Sequence, residues 1–567
     1  MIWDYVIVGG GTAGCILANR LSARSSNRVL MLEAGQDTPP GAVPAELLDS
    51  YSFRSAFDPA YQWADMRVHM QPIPHNRGTV PATKHYEQAR VLGGGSSING
   101  QQANRGTPDD YDAWASQGAE GWAWSDVLPW FIKLESDRDY DGPLHGRDGP
   151  IPITRVPQAK WPGFAQAAAR AFSARGWSDI GDQNGRFDDG WFPMSLSNDG
   201  THRVSAPTAY LGSNVRARPN LEIRTGVTVD RLLHDARRIT GVALANGEEI
   251  AGREVVVCAG ALRTPELLLR AGIGPGSDLR ALGVDVVADR SGVGRNLQDH
   301  PTISVSAYLK SDARLYSSTR RHIQMGLRYS SGVPGGLPAD MYMVVVAKSA
   351  WHAIGRRLGS LVGWVNKPYS CGQVRLQRDD GVLRREVAME LLSDERDLRR
   401  LMASVRLMAE LFGMAELAAV SRDPFASTFG ALARAVRQEN LLNRLITIGP
   451  ALVLDSPAPA RRALIRHVLA PGRSLAELLD DEALLAEHVR RYVSGGWHPS
   501  GTCKMGAEDD ASAVVDPRTA RVHGVDGLSV VDASLMPSVP RANTNLPTMM
   551  IAEKMAESIL SRPEGLS

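Results

Sequence analysis

Asp4-Tyr-Val-Ile-Val-Gly-Gly-Gly-Thr-Ala-Gly-Cys-Ile-Leu-Ala-Asn-Arg-Leu21 opens the chain and decides the class of its fold. Tyr5 to Val8 is short, apolar and β-branched, as a strand buried on both faces should be. Gly9, Gly11 and Gly14 follow as G-x-G-x-x-G. The first glycine permits a tight turn, the second lets a pyrophosphate approach the backbone, and the third lets a helix pack closely on the strand. Ala13 to Leu21 reads as that helix, its amino end offering free N–H groups and a positive dipole end to phosphate. A second strand, Arg28 to Leu32, ends in Glu33, about 20 residues beyond the last glycine, where such a unit carries the acid that binds a ribose hydroxyl. Strand, glycine turn, helix, strand and acid together predict a nucleotide-binding βαβ unit.

At 567 residues the chain has room for more than one core. Hydrophobic residues make up 43% and charged residues 22%, an ordinary globular composition. The net charge of +1 gives no electrostatic case for nucleic acid or an acidic membrane. No apolar run approaches the ~18 residues of a membrane span. The first strand begins almost at Met1, leaving no room for a basic leader, and this predicts a cytoplasmic protein. Cys15, Cys258, Cys371 and Cys503 are scattered without a C-x-x-C and read as buried or idle thiols; no metal is expected.

Residues 36–88 are rich in Pro, Tyr, Trp and charge and read as long lid-like loops. Ala89-Arg-Val-Leu-Gly-Gly-Gly-Ser-Ser-Ile-Asn99 suits backbone lying against a flat or anionic ligand. Tyr111 to Glu135 and Phe164 to Arg175 are predicted helical. Asn246-Gly247 between strand-like runs signals a hairpin. Glu254-Val-Val-Val-Cys-Ala-Gly260 is a buried strand ending in small residues, and Thr264-Pro265 opens a helix. Residues 301–490 differ in character, with strand-like runs at Ile303 to Leu309 and Met341 to Val346 and Arg/Leu-rich helices from Asp394 to Phe412 and near Leu475 to Val493. They predict an α+β domain, an antiparallel sheet with helices on one side, roofing the nucleotide domain. A last helix from about Asn545 to Leu560 carries an apolar face of Met549, Ala552, Met555, Ala556 and Ile559.

Trp497-His498-Pro-Ser-Gly-Thr-Cys-Lys-Met-Gly506 places a histidine on a Gly/Pro-framed loop, and Asn543-Thr-Asn545-Leu-Pro-Thr opens the last helix. Histidine titrates near neutrality and suits a general base.

These blocks resemble the glucose–methanol–choline oxidoreductase family. The resemblance rests on Gly9 to Gly14, on Arg90 to Asn99, on Gly260-Ala-Leu-Arg-Thr-Pro-Glu-Leu-Leu-Leu-Arg-Ala-Gly272-Ile-Gly274, on Gly292-Val-Gly-Arg-Asn-Leu-Gln-Asp-His300, on His498-Pro-Ser-Gly-Thr and on Asn543 to Lys554. They come in the family's order and span nearly the whole chain. The resemblance implies an α/β fold: an FAD-binding Rossmann-like domain of glutathione-reductase type with a second α+β substrate domain. The chain would divide as FAD domain 1–155, substrate domain 156–204, FAD domain 205–300, substrate domain 301–490 and FAD domain 491–567. No second glycine-motif unit is present for a nicotinamide. By resemblance, the pyrophosphate lies on Gly9, Gly11, Thr12, Ala13 and Gly14, and a ribose on Glu33. Arg90, Leu92, Gly94, Ser96 and Asn99 lie in the block along the isoalloxazine, Val227 touches the adenine side, and Asp532 and Ala533 approach the ribityl–pyrophosphate region. Asn543 and Thr544 lead the last helix toward the flavin.

The resemblance makes His498 and Asn545 the catalytic pair, the base and the amide that orient an alcohol oxygen. Ile98 stands where some members carry a histidine linked to the flavin, so non-covalent FAD is expected, and Ala271 replaces a usual serine. Trp497 before His498 is similar to the pattern of bacterial 5-(hydroxymethyl)furfural oxidases, whose substrates are aryl and furanyl primary alcohols; the indole either stacks such an alcohol beside the cofactor or packs the loop. Arg541 is expected against a phosphate or at solvent, ahead of a substrate carboxylate. The function implied is FAD-dependent alcohol oxidation with O₂ as acceptor. The alternatives are a dehydrogenase using a quinone or other acceptor and, more remotely, a hydroxynitrile lyase. Choline is disfavoured for want of an evident cation cage.

Overall fold

A computed structural model describes residues 2–71, 83–316, 320–428 and 435–562. Trp3–Val8 pairs in parallel with Val29–Leu32 on one side and with the second half of Glu249–Val257 on the other. Leu221–Arg224 extends this parallel sheet at one edge and Leu528–Val530 at the other. Residues 249–251 turn the opposite way into an antiparallel ribbon with Arg238–Leu244, closed by the Asn246-Gly247 turn with Gly247 at φ 90°. Val6, Ile7, Val29, Leu30 and Met31 are fully buried, as a sheet covered on both faces requires.

The glycine turn is sterically obligatory. Gly9 adopts φ 103°, and a Cβ there would lie 2.5 Å from the Cys258 carbonyl oxygen. A Cβ on Gly14 would lie 2.0 Å from the Gly9 carbonyl oxygen. The helix it begins, Thr12–Ser22, packs against the last helix, Asn545–Leu560. Arg20 grips Glu553 with two hydrogen bonds, Nε to Oε2 at 2.9 Å and Nη2 to Oε1 at 2.7 Å, and the Tyr210 hydroxyl donates to the same carboxylate. Met549, Ala552, Met555, Ala556 and Ile559 are buried beneath that ion pair, as their spacing predicts.

A second large sheet is wholly antiparallel, in the order Ser421–Ala426, Pro301–Leu309, Leu358–Val365, Met341–Val346, Ile323–Tyr329, Gly190–Pro193. Helix Glu395–Gly413 covers one face with Leu398, Leu401, Met402, Val405 and Met408. The fold is thus the expected α/β nucleotide-binding architecture with an antiparallel sheet beside it. The lid-like stretch 36–88 holds two short helices, Ala45–Leu48 and Phe53–Ala56, and residues 72–82 of it lie outside the described residues.

One pairing governs the site. Pro301–Leu309 starts directly after His300, and the two-residue strand Ser494–Gly495 pairs with Pro301 and Thr302. That register brings the turn before His498 alongside Asp299 and His300.

Gly14→Ala is expected to cost about 1–3 kcal/mol or more, because a rigid backbone oxygen blocks the new methyl. Chemical denaturation followed by circular dichroism should show the lower midpoint; an unchanged midpoint would mean the helix slides outward freely.

Candidate active site

The loop bearing His498 is fastened by a buried carboxylate. Asp299 Oδ1 accepts the N–H groups of His300 (2.8 Å), His498 (2.9 Å) and Gly496 (3.2 Å), while Oδ2 accepts the Tyr86 hydroxyl at 2.6 Å. Burial pushes the Asp299 carboxyl up to about 6, against the pull of these four donors, so it is ionised at neutral pH. Trp497, between two of the fastened residues, takes φ 60°. Its indole turns outward to 37% exposure, and Nε1 donates to Glu87 at 3.0 Å.

His498 sits between two polar partners. Its Nδ1 lies 2.9 Å from Nδ1 of His300, and its Nε2 lies 2.9 Å from the Asn543 amide nitrogen. Burial, then the neighbouring His300, holds His498 well below its ordinary pKa of 6.5. Burial and then Lys367 hold His300 down to about 3. Both rings are therefore neutral at pH 7, and one proton is shared across the Nδ1–Nδ1 contact. Asn543 Nδ2 can only donate, so the lone pair of His498 belongs on Nε2 and its proton on Nδ1. A neutral imidazole with an acceptor nitrogen facing a cavity can take a proton.

The expected partner Asn545 is not at this imidazole. Its Oδ1 accepts the Thr12 hydroxyl at 2.9 Å, tying the last helix to the first. Asn543, two residues earlier, is held by its N–H donating to Asn104 Oδ1 at 2.7 Å, and it reaches His498. The reason is the turn: Thr544 caps the helix, so residues 543 and 545 leave it in different directions.

A cavity of ≈870 Å³ runs from the glycine turn to His498. Gly9, Gly11, Thr12, Ala13, Glu33, Arg90, Gly94, Asn99, Val227, Asp532, Ala533, Asn543, Thr544 and Asn545 line it with Trp497 and His498. Gly14, Leu92 and Ser96 do not. Gly14 faces the Gly9 oxygen, Leu92 packs fully buried against Gly10, and Ser96 is occupied by the Gly93 carbonyl and the Ala206 N–H.

The residues present fit a flavin dinucleotide. A Cβ on Gly11 would meet only the Cys258 oxygen at 3.9 Å, and Cβ atoms on Gly95 and Gly260 would meet nothing within 4 Å, so bare backbone faces the space. The amino ends of Thr12–Ser22 and Asn545–Leu560 both open into it. Glu33, held by the Gly10 and Gly35 N–H groups, waits at the end of the second strand. The buried Asn543 Oδ1 has no protein partner. Ile98 lines the cavity with an inert side chain, as expected for a non-covalent cofactor.

Sequence reasoning missed several residues. Asp299 and His300 were visible only as part of a block, because nothing in their spacing says that a strand pairing will place them under residue 498. Arg541 is neither at a phosphate nor at solvent: it is buried against Asp110 at 2.7 Å and the Pro338 carbonyl. Cys503 is fully buried and its thiol is pushed up by burial. Away from the cavity, Glu135, Asp137 and His145 come within 4.8 Å of one another. Arg155 binds Asp137 at 2.8 Å and Asp182 binds the other His145 nitrogen at 2.8 Å, which makes this a closed ion network.

Family models described as GMC oxidoreductase match residues 3–302 and 368–552. The chain belongs to the GMC oxidoreductase family. It is 45% identical to 5-(hydroxymethyl)furfural oxidase of Methylovorus sp. (strain MP688) over 99% of both chains. It is 32% identical to the oxygen-dependent choline dehydrogenase of Sinorhizobium fredii, over 99% of this chain and 96% of that one. Among solved structures, pyridoxine 4-oxidase from "Mesorbium loti" superposes with a TM-score of 0.79 at 27% identity, covering 99% of this chain and all of the other. This GMC oxidoreductase is an FAD-dependent enzyme of alcohol oxidation. Among its described residues, no helix is long and apolar enough to cross a membrane.

Its buried imidazoles set a pH limit. His300 and His322 are held at about 3, His352 and His488 at about 4, and His498 well below 6.5, all first by burial. Each ring takes a proton more readily in the unfolded chain, so stability present above about 6.5 is lost as pH falls below it. His145, pushed up to about 10 by its carboxylates, acts oppositely only as pH rises. Urea unfolding midpoints should therefore drop from pH 7.5 to pH 5; a rising midpoint would mean these rings are charged in the fold.

Proposed function

We propose that the enzyme oxidises neutral aryl or furanyl primary alcohols to aldehydes, with O₂ as acceptor and H₂O₂ as product. The observation that carries this reading is the lining of the cavity around His498. One face of the antiparallel sheet supplies Trp364, Val362, Val344, Val346 and Ile323, and Phe53, Phe57 and Trp497 close the other side. The carboxylate at that end is Glu87, and it is engaged twice, by Trp497 Nε1 and by Arg437 Nη1 at 2.8 Å. A quaternary ammonium would leave its hydration for an apolar surface whose one anion is already neutralised. A flat, uncharged ring with a hydroxymethyl group loses little by the same transfer.

In this reading the alcohol oxygen enters between His498 and Asn543 and replaces their direct contact: Nε2 accepts the hydroxyl proton as the α C–H is lost, and Asn543 donates its amide N–H to the same oxygen and holds it in line. His300 keeps the imidazole in the required tautomer through Nδ1. FAD, held at the glycine turn and the amino ends of the two helices, would supply the hydride acceptor, with alcohol and O₂ giving aldehyde and H₂O₂ overall. Asn545 has the different task of fixing the amino end of the last helix. The relative named 5-(hydroxymethyl)furfural oxidase supports the substrate class. The same residues would serve a dehydrogenase with a non-O₂ acceptor, and the acceptor distinguishes the two readings. Free thiols at all four cysteines suit a reducing cytoplasm, where we place the enzyme.

Peroxide release should be measured in air with 5-(hydroxymethyl)furfural, benzyl, vanillyl and choline substrates. Peroxide with the ring alcohols and none with choline is expected. Dye reduction without peroxide would make the enzyme a dehydrogenase, and preference for choline would overturn the reading. His498→Ala should lose ~10²–10⁴ in flavin reduction rate. Asn543→Ala should raise the barrier by roughly 1.5–3 kcal/mol, the scale of a hydrogen bond to a group gaining charge, whereas Asn545→Ala should lower FAD retention more than it slows reduction. Equal kinetic losses at 543 and 545 would undo the assignment. Because His498 stays neutral well below 6.5, kcat/KM should run flat from pH 8 to pH 7, above the Asp299 carboxyl at about 6; a fall already within that range would show an ordinary, solvated histidine.

A further inference from the structure

The net charge of +1 conceals a local surface of a different kind. Helices Leu441–Ile446 and Ile448–Leu454 follow each other almost without a break. Asn443, Thr447, Ala451 and Leu454 are buried on the inner side. Leu441, Leu445, Ile448 and Leu452 recur at spacings of four, three and four on the outer side, with Leu442 and Ile446 beside them. This is the stripe a helix uses to enter a core, yet Leu441 is 71% exposed, Leu442 67% and Leu452 60%. Among the described residues, seven of the twelve large exposed hydrophobic side chains fall between residues 441 and 468. The inner face is well anchored: Leu454, Ala451 and Ile465 pack with Phe425, Ile354 and Leu358. The outer face is thus presented on a firm base.

The charged residues in and just after the stripe are mostly arginine. Residues 440–473 contain Arg444, Arg461, Arg462, Arg466 and Arg473 against a single acid, Asp455. Arg314 and Arg357 already neutralise Asp455, while Asp423 takes up Arg461 and Arg462. Arg444 and Arg466 are exposed and form no ion pair among the described residues. Exposed aliphatic side chains with two unpaired arginines in the same segment match a leaflet of acidic phospholipid, where the former enter the acyl boundary and the latter meet the phosphates. A second copy docking through the same patch on a two-fold axis would instead set arginine against arginine. The stretch just before the stripe touches the cavity wall at Glu87: Arg437 binds Glu87, its carbonyl accepts Trp351 Nε1 at 2.7 Å, and Glu439 binds Arg54 at 2.8 Å.

We propose that the 441–468 face seats the enzyme reversibly on an anionic lipid surface, with the segment that contacts the cavity wall at Glu87 close to the bilayer. The inference stands apart from the substrate reading, since it is read out by binding and not by turnover.

The test is co-sedimentation of the FAD-loaded protein with vesicles of phosphatidylcholine alone and of phosphatidylcholine mixed with phosphatidylglycerol, at low and high salt. Wild type should sediment with the mixed vesicles, release at high salt and ignore the neutral ones. Leu445→Ser/Leu452→Ser and Arg444→Ser/Arg466→Ser should each weaken binding ~10-fold or more. Both pairs are exposed and outside the catalytic machinery, so alcohol oxidation should stay at the wild-type level as a check on folding. Failure of wild type to bind mixed vesicles, or equal binding by the variants, would overturn the proposal. So would a dimer by light scattering that Leu445→Ser/Leu452→Ser dissociates, which would show that a second copy covers the stripe.

Discussion

Everything around the candidate base depends on one buried anion. Asp299 is removed from water, and an ionised carboxylate survives there only if donors replace its hydration. Three backbone N–H groups and the Tyr86 hydroxyl do so. The donors come from three distant parts of the chain, so satisfying one carboxylate fixes all three against one another. Loss of any one would leave a buried acceptor short, at about 1–3 kcal/mol. The pairing of Ser494–Gly495 with Pro301–Thr302 continues the same clamp into the antiparallel sheet. The His498 loop is therefore held at the seam between the two sheets, and its position depends on both.

A second buried charge set fixes the chain that leads to Asn543. Burial alone would raise the Asp110 carboxyl, but Lys367 and Arg541 bring it down to about 2. Lys367 also donates to the Val539 carbonyl and the Ser538 hydroxyl, and Arg541 donates its own N–H to Asp110. These contacts fix residues 538–541, from which the chain turns to present Asn543. The two sides of the His498–Asn543 contact are thus set by separate electrostatic clamps, Asp299 on one and Asp110 on the other. The excess positive charge of the Lys367, Arg541 and Asp110 set lies on the side of His300 and, after burial, helps keep that imidazole neutral.

The glycine turn, the two strands it joins and the last helix were legible in the sequence because their constraints are local. A glycine whose Cβ would strike a carbonyl at 2.0 Å leaves its mark at a fixed offset from its strand. The antiparallel sheet was legible in class from its apolar runs, but its strand order was not, since pairing partners such as Gly190–Pro193 and Ile323–Tyr329 are far apart in the chain. The candidate site was half legible. His498 stood out on a loop without periodicity. Asn543 and Asn545 are the same residue type two positions apart across a helix cap, and only the cap's geometry decides which one meets the imidazole and which one meets Thr12. Arg541 illustrates the same limit: an arginine beside a glycine-poor turn reads equally well as exposed, as phosphate-binding or as buried, and the deciding residue, Asp110, lies 431 positions away.

The cavity's two ends select by opposite physics. At the glycine end, backbone N–H groups and helix amino termini face open space without side chains, so an anionic, hydrogen-bonding ligand recovers there what it loses in leaving water. At the His498 end, much of the wall is valine, isoleucine, phenylalanine and tryptophan, and the polar atoms there include an acceptor nitrogen and an amide. A hydroxyl group matches that pair atom for atom, because it donates to the imidazole while accepting from the amide. An amine that is charged at neutral pH has no lone pair for the amide, and a carboxylate has no proton for the imidazole. The demand for a group that both donates and accepts, set in an apolar slot, is what narrows this end of the cavity to alcohols.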